Sequence, residues 1–194
     1  KRHAGAAALR ETTRLKPLQW AAAITAAEAI ARRLSPSRSR AWLAAYSLLG
    51  ATALINPAPR SRRDRPSLAL WFGVPLVLAG YPLGCALLRH QASGPPPDPL
   101  PVELVAVACV VAPVEELTWG GLVEPALGIP VTAALFAAKH VVIDGKWRRA
   151  VGLAAFWVGL GLVRSRSPKL ALGLHMAVNA SGVLLGHLTH RDSF

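Results

Sequence analysis

Residues 107–123 read VACVVAPVEELTWGGLV, an apolar run with two adjacent carboxylates, Glu115 and Glu116, at its centre. Two further apolar stretches carry polar groups of the same kind. VTAALFAAKH at 131–140 ends in His140, and LALGLHMAVNASGVLL at 170–185 holds His175 and Asn179. An ionisable side chain at bilayer depth is costly, so it faces a protein interior or a wet cavity and has work there. Three separate segments offering such groups predict one buried polar site.

The surrounding chain sets the class. At 194 residues it is long enough for one domain and short for two. Hydrophobic residues make up 53% and the mean hydropathy is +0.37, too apolar for an ordinary soluble domain. The excess comes in blocks at 41–56, 67–88, 100–123, 131–143, 150–163 and 170–188, only some of which reach the ~20 residues that span a hydrocarbon core. The fold class expected is all-α, a polytopic transmembrane bundle of about six to seven helices around a buried polar site. Its place is the cell membrane, as a multi-pass integral protein, and its first partner is the lipid bilayer.

The formal charge of +12 raises nucleic acid as a partner. The basic residues, however, fall between the apolar blocks: Arg32, Arg33, Arg38 and Arg40, then Arg60, Arg62, Arg63 and Arg65, then Lys146, Arg148 and Arg149, then Arg164, Arg166 and Lys169. Clusters so placed meet anionic headgroups and orient helices. A nucleic-acid face needs its basic residues gathered on one surface beside stacking aromatics, and none is read here. Because successive loops are all basic, the charge rule leaves the membrane orientation open. Cys85 and Cys109 lie in apolar runs without metal spacing and are expected as small buried hydrophobes. Lys1 opens the chain without a Met, and the basic start lacks a signal-peptide pattern, which reads as a start within a longer precursor.

The chain divides at QASGPPPDPLP (91–101), a linker too rich in proline to be helical. Residues 1–99 form an arm and apolar helices, the weakly apolar 18–34 with Glu28 among them. Residues 100–188 form the core that holds the polar groups, and 189–194 a polar tail. In that core, Pro101 suits a first helical turn, and Pro113 predicts a kink just before the glutamates. Glu124-Pro125 predicts a stop near Val123, Pro130 opens the next helix, and Ser167-Pro168 opens the last.

Helical spacing makes the polar residues usable together. Phe136 and His140 share one face, as do His175 and Asn179, each pair being four apart. Glu115 and Glu116 are about 100° apart on an α-helix and cannot point to one spot. Two carboxylates, two imidazoles and an amide are an inventory for general acid–base hydrolysis. The carboxylate serves as base toward water, and His and Asn side chains donate to a developing oxyanion. His3, His90, His187 and His190, at ends and loops, receive no role.

EELTWGGL (115–122), LFAAKH (135–140) and LHMAVN (174–179), in that order, resemble the EExxxR, FxxxH and HxxxN signatures of the CAAX protease and bacteriocin-processing (CPBP) family of intramembrane endopeptidases. The resemblance covers roughly residues 100–187, including the approach GLGLVRSRSPKLALGLHMAVNA at 159–180. It implies a catalytic set of Glu115, Glu116, His140, His175 and Asn179. Glu115, assisted by His140, would activate water, and His175 with Asn179 would bind the scissile carbonyl oxygen. The substrate implied is a membrane-associated peptide or protein. No cofactor is implied: HExxH and cysteine clusters are absent from the sequence, which favours a glutamate mechanism and leaves a divalent metal open.

One position departs from the signature. Gly120 stands where the family has Arg, one turn beyond Glu116. Lys139, or protonation of Glu116 itself, are the two replacements the sequence offers. Two other functions follow from the same residues. One is a catalytically silent scaffold or immunity protein, which Gly120 favours. The other is a small proton-coupled transporter, which would be expected to show internal repeats that this chain lacks.

Overall fold

The computed structural model describes residues 16–55, 68–88 and 94–192. The arm before Lys16, His3, His90 and the cluster of Arg60, Arg62, Arg63 and Arg65 lie outside the described residues. So does the final stretch of the polar tail. Among the described residues the chain is all-α, with seven helices. They are α1 (Pro17–Leu34), α2 (Arg38–Ile55), α3 (Leu68–Leu87), a long α4 over 100–127, α5 (Ile129–Asp144), α6 (Trp147–Arg164) and α7 (Pro168–Thr189).

Local sequence sets most of the boundaries. Pro17, Pro130 and Pro168 sit in first turns, where a missing N–H costs nothing. Ser167 caps α7 by accepting from the Leu170 amide at 3.2 Å. Gly145, at φ 68°, ends α5 in the left-handed conformation that glycine adopts without strain.

The helix that carries the glutamates is not uniform. Its turns alternate between α (Leu100–Leu104, Ala112–Glu115, Glu124–Leu127) and the wider π form (Val105–Val111, Glu116–Val123). Pro113 cannot donate to the Cys109 carbonyl, and its short α piece lies between the two widened stretches rather than at a break. The Ala112 amide reaches back five residues to the Val107 carbonyl. Such insertions gather at functional sites. Nor does the helix stop near Val123: Pro125 falls in the first turn of the last α piece, where it is tolerated. The break comes at Gly128, at φ 80°, whose amide donates to Glu124 O at 2.8 Å.

Glycines bring α3 and α6 together. A Cβ built on Gly84 would stand 2.5 Å from the Gly152 Cα, and one on Gly159 would stand 2.7 Å from the Val77 nitrogen. Small residues of this kind let helix backbones meet where no water drives them together. Beside this pair lies an aromatic core. Phe136 stacks on Trp157 at 4.2 Å between centroids and meets Trp119 edge-on at 5.8 Å. Trp20 and Ile24 of α1 join the same core, so one face of the weakly apolar 18–34 segment is interior, while Leu18, Ile30 and Leu34 are exposed.

The outside is apolar over two helices. Among the described residues α3, with 20 residues, and α7, with 22, are long and apolar enough to cross a membrane, and only a minority of each is buried. Trp71, Phe72, Leu78 and Leu83 are exposed on α3, and Leu184, Leu185 and Leu188 on α7. Cys109 is also exposed rather than buried, and Cys85 is half-buried. Position along an apolar run did not reveal the face.

At one end, polar contacts tie the linker to the bundle. Asp98 accepts from the Ser37 hydroxyl and from the Ser39 amide, so it caps α2 from a distant part of the chain. Arg38 pairs with Glu103 and Asp192. His187, given no role by the sequence, lies 2.9 Å from Glu103 through Nε2.

Candidate active site

Six helices supply the polar site, α6 through Arg164. α4 places Glu115 and Glu116, α7 places His175 and Asn179, α5 places Lys139 and His140, and α1 and α2 add Glu28 and Tyr46. All of these except Glu116 and Arg164 line a cavity of about 90 Å³ whose walls also include Val107, Val111, Leu153 and Phe156. A space of that size, with carboxylate, ammonium and imidazole groups in its wall, has room for several waters.

The two glutamates meet through one ring. His175 Nδ1 is 3.0 Å from Glu116 Oε1, and its Nε2 is 3.6 Å from Glu115 Oε2. The carboxylates therefore point to opposite edges of an imidazole that α7 inserts between them. The divergence expected of adjacent helical residues is thus what lets both serve one histidine. His175 is buried, with Phe156 and Trp157 packed edge-on at 5.1 and 6.1 Å.

Glu115 divides its oxygens. Oε1 accepts from Lys139 Nζ at 2.6 Å and is 2.9 Å from the Tyr46 hydroxyl, while Oε2 faces His175. Lys139 has three N–H donors and three oxygens within reach: Glu115 Oε1, the Tyr46 hydroxyl at 2.9 Å and Glu28 Oε2 at 3.1 Å. Glu28 also accepts from Trp42 Nε1 at 2.8 Å and lies 3.2 Å from Arg32 Nη2. Every buried charge here has a partner, which a buried ion requires.

Glu116 is held from the other side. Arg164 Nε is 2.8 Å from its Oε2 and Nη2 is 3.0 Å from its Oε1, a two-pronged pair, while Nη1 reaches Glu124 at 2.6 Å. The replacement offered by the sequence, Lys139, serves Glu115 and Glu28 instead. Its position on α5 brings it to the other carboxylate.

His140 and Asn179 stand apart from the bridge. Both line the cavity. The His140 ring leans on Phe136 at 5.1 Å, and Nδ1 is 3.5 Å from Asp144, but neither ring nitrogen has a hydrogen-bond partner. Its expected contact with Glu115 is not formed. Asn179 Nδ2 donates to the Val107 carbonyl at 3.3 Å. Among the described residues no group of three or more His, Cys, Asp or Glu side chains is arranged to hold a metal ion.

Sequence reading missed Glu28, Tyr46 and Arg164 as site residues. Glu28 left a trace, a carboxylate with Arg32 one turn on inside an Ala-rich helix. Arg164 left a fainter one, as the first charge after fourteen uncharged residues. Tyr46 left none, because a tyrosine in an apolar helix is ordinary core.

No protein-family model matches this chain, and no curated protein or solved structure matches it either. The roles of these residues therefore rest on their geometry.

Proposed function

We propose that this chain is a multi-pass intramembrane endopeptidase, hydrolysing a peptide bond of a membrane-associated peptide or protein. The observation that carries the reading is the bridge Glu115–His175–Glu116 beside a cavity that Asn179 and His140 also face. The outward apolar faces of α3 and α7 support a lipid setting in the cell membrane. The resemblance to CPBP endopeptidases rests on the same residues.

The chemistry follows from the free edge of Glu115. Oε1 is occupied by Lys139 and Tyr46, which fixes the carboxylate and leaves Oε2 to a water in the cavity. Oε2 takes a proton from that water as the water oxygen bonds to the scissile carbonyl carbon. The carbonyl electron pair moves onto oxygen, where Asn179 donates to it, while His175 Nε2, beside Glu115 Oε2, accepts the second hydrogen of the water. The pair returns as the C–N bond breaks, and Glu115 passes its proton to the leaving nitrogen. One water is consumed, and a carboxylic acid and an amine form.

A second reading draws on the hydrogen-bonded line Glu28–Tyr46–Glu115, with oxygens 2.7 and 2.9 Å apart. Such a line would suit a proton-coupled transporter. A silent scaffold keeps the same fold without turnover.

One experiment separates the three. The full chain, reconstituted in liposomes, is given a library of membrane-anchored peptides, as wild type, Glu115→Gln and His175→Ala, with and without a chelator. Cleavage lost in both variants supports the peptidase, and chelator sensitivity would bring in a metal. Proton uptake without cleavage supports the transporter. Neither, across a broad library, supports the scaffold.

A further inference from the structure

Position 120 has no side chain, and the space beside its Cα is filled from another helix. A Cβ built on Gly120 would lie 2.5 Å from Arg164 Nε and 2.7 Å from Arg164 Cζ. The guanidinium thus lies directly against the α4 backbone, one turn beyond Glu116, and forks onto both Glu116 oxygens. It stacks over Trp157 at 4.9 Å, which fixes its plane. The arginine expected on α4 by resemblance is supplied in space by α6.

We infer that Arg164, seated on Gly120, is a positioning residue that sets the tautomer of His175 through Glu116. This inference rests on the peptidase reading for its consequence, though not for its test. Paired on both oxygens, Glu116 is an ionised carboxylate and accepts only. The His175 nitrogen facing it, Nδ1 at 3.0 Å, must then carry the proton. Nε2 is left unprotonated toward Glu115 and the cavity, where it accepts from the attacking water. Without Arg164 the buried Glu116 would be driven to its neutral acid and could donate to Nδ1, reversing the ring.

Gly120 and Arg164 therefore form a linked pair. Any side chain at 120 meets the guanidinium, so an arginine at 120 competes with Arg164 for the one space beside Glu116. Gly120→Arg alone is expected to be damaging. Gly120→Arg combined with Arg164→Gln moves the cation onto α4, beside the same carboxylate, and should be tolerated.

The test is the ¹⁵N spectrum of His175 in the full chain, labelled at histidine and held in lipid bilayers, assigned by loss of its signal in His175→Gln. The wild type should show a protonated Nδ1. Arg164→Gln should lose that signature, and Gly120→Arg/Arg164→Gln should recover it. An unchanged His175 signal in folded Arg164→Gln overturns the inference. Should Arg164→Gln not fold, the comparison moves to Gly120→Arg against the double variant. There a double variant no better than the single overturns it.

Hydrolysis gives the second arm. Where the wild type cleaves the anchored peptides, Arg164→Gln should lose about 10²-fold in kcat with little change in KM, as expected for a misplaced group rather than lost binding. A KM effect alone overturns the inference. A wild type that cleaves nothing sinks the peptidase reading, and the inference then stands or falls on the ring signal.

Discussion

Lys139 Nζ lies 2.6 Å from Glu115 Oε1, and both side chains are buried. The ammonium also serves Glu28 and Tyr46, so one cation holds together α1, α2, α4 and α5. Removing it leaves two buried carboxylates short of a counter-charge. We expect Lys139→Met to lower stability by about 3–5 kcal/mol. Adding Glu115→Gln should return part of that loss. Denaturant unfolding in detergent micelles measures both, and simple additivity of the two single losses would show the pair is not coupled.

Asn179 separates chemistry from stability. Its bond to the Val107 carbonyl is long at 3.3 Å, and that carbonyl already accepts from Ala112. Asn179→Ala should therefore change stability by less than about 1 kcal/mol. If its amide donates to the reacting carbonyl, kcat should fall about 10²–10³-fold. Parallel kinetics and melting curves decide, and a stable variant of full activity would remove Asn179 from the site.

The glycines on α6 and α7 should respond oppositely to the same change. Gly159→Ala drives a methyl into the α3 backbone, at 2.7 Å from the Val77 nitrogen and 2.9 Å from the Gly73 carbonyl oxygen. Backbone cannot step aside, and a loss of about 1–3 kcal/mol follows. A Cβ on Gly173 meets nothing. Gly173→Ala should gain about 0.5–1 kcal/mol from helix propensity. Equal melting temperatures for the two variants would contradict the packing described for α3 and α6.

Asp98 gives the molecule an acid-sensitive joint outside the apolar helices. Burial pushes its carboxyl upward, but the Ser37 hydroxyl, the Ser39 amide and the charge of Arg38 outweigh that and hold it below the usual carboxylate value. With the folded value depressed, the stabilisation is fully present above the unfolded value and is lost as pH falls through the folded one. Wild type should thus exceed Asp98→Asn in stability at neutral pH. The gap should close as pH drops below about 4. A gap independent of pH would show that the carboxylate charge plays no part.

The sequence disclosed the polar groups around the cavity more readily than what holds them. Glu115, Glu116, His175 and Asn179 were legible because polar groups in apolar helices are expensive and stand out. His140 was legible for the same reason, yet its ring turns toward Phe136 and Asp144 and makes no bond to Glu115. Spacing fixes the side of a helix, not the rotamer on it. Arg164 was hidden because its partner lies 48 residues away, beyond any local pattern. The π turns were hidden too, since Pro113 announces a missing donor without saying how the helix absorbs it.

Helix ends were read well where a cap or a proline marks them, as at Ser167 and Pro130. Glu124-Pro125 misled, because proline is as welcome in a first turn as it is after a last one. Tertiary geometry chose between these meanings.

Glu28 and Lys139 stand 111 residues apart, and this distance constrains how the molecule can be made. Synthesis delivers α1 and its carboxylate long before the lysine that neutralises it exists. Arg32, four residues on and 3.2 Å away, is the one cation on the same helix that reaches Glu28. It can chaperone that charge through the interval. In the finished site Lys139 joins Arg32 on Glu28, and the other end of the Arg32 guanidinium meets Asp144 on the same newly made helix. A nascent chain halted before α5 would have Arg32, Trp42 and Tyr46 to hold Glu28, all within its first two described helices, and would lack only the second cation.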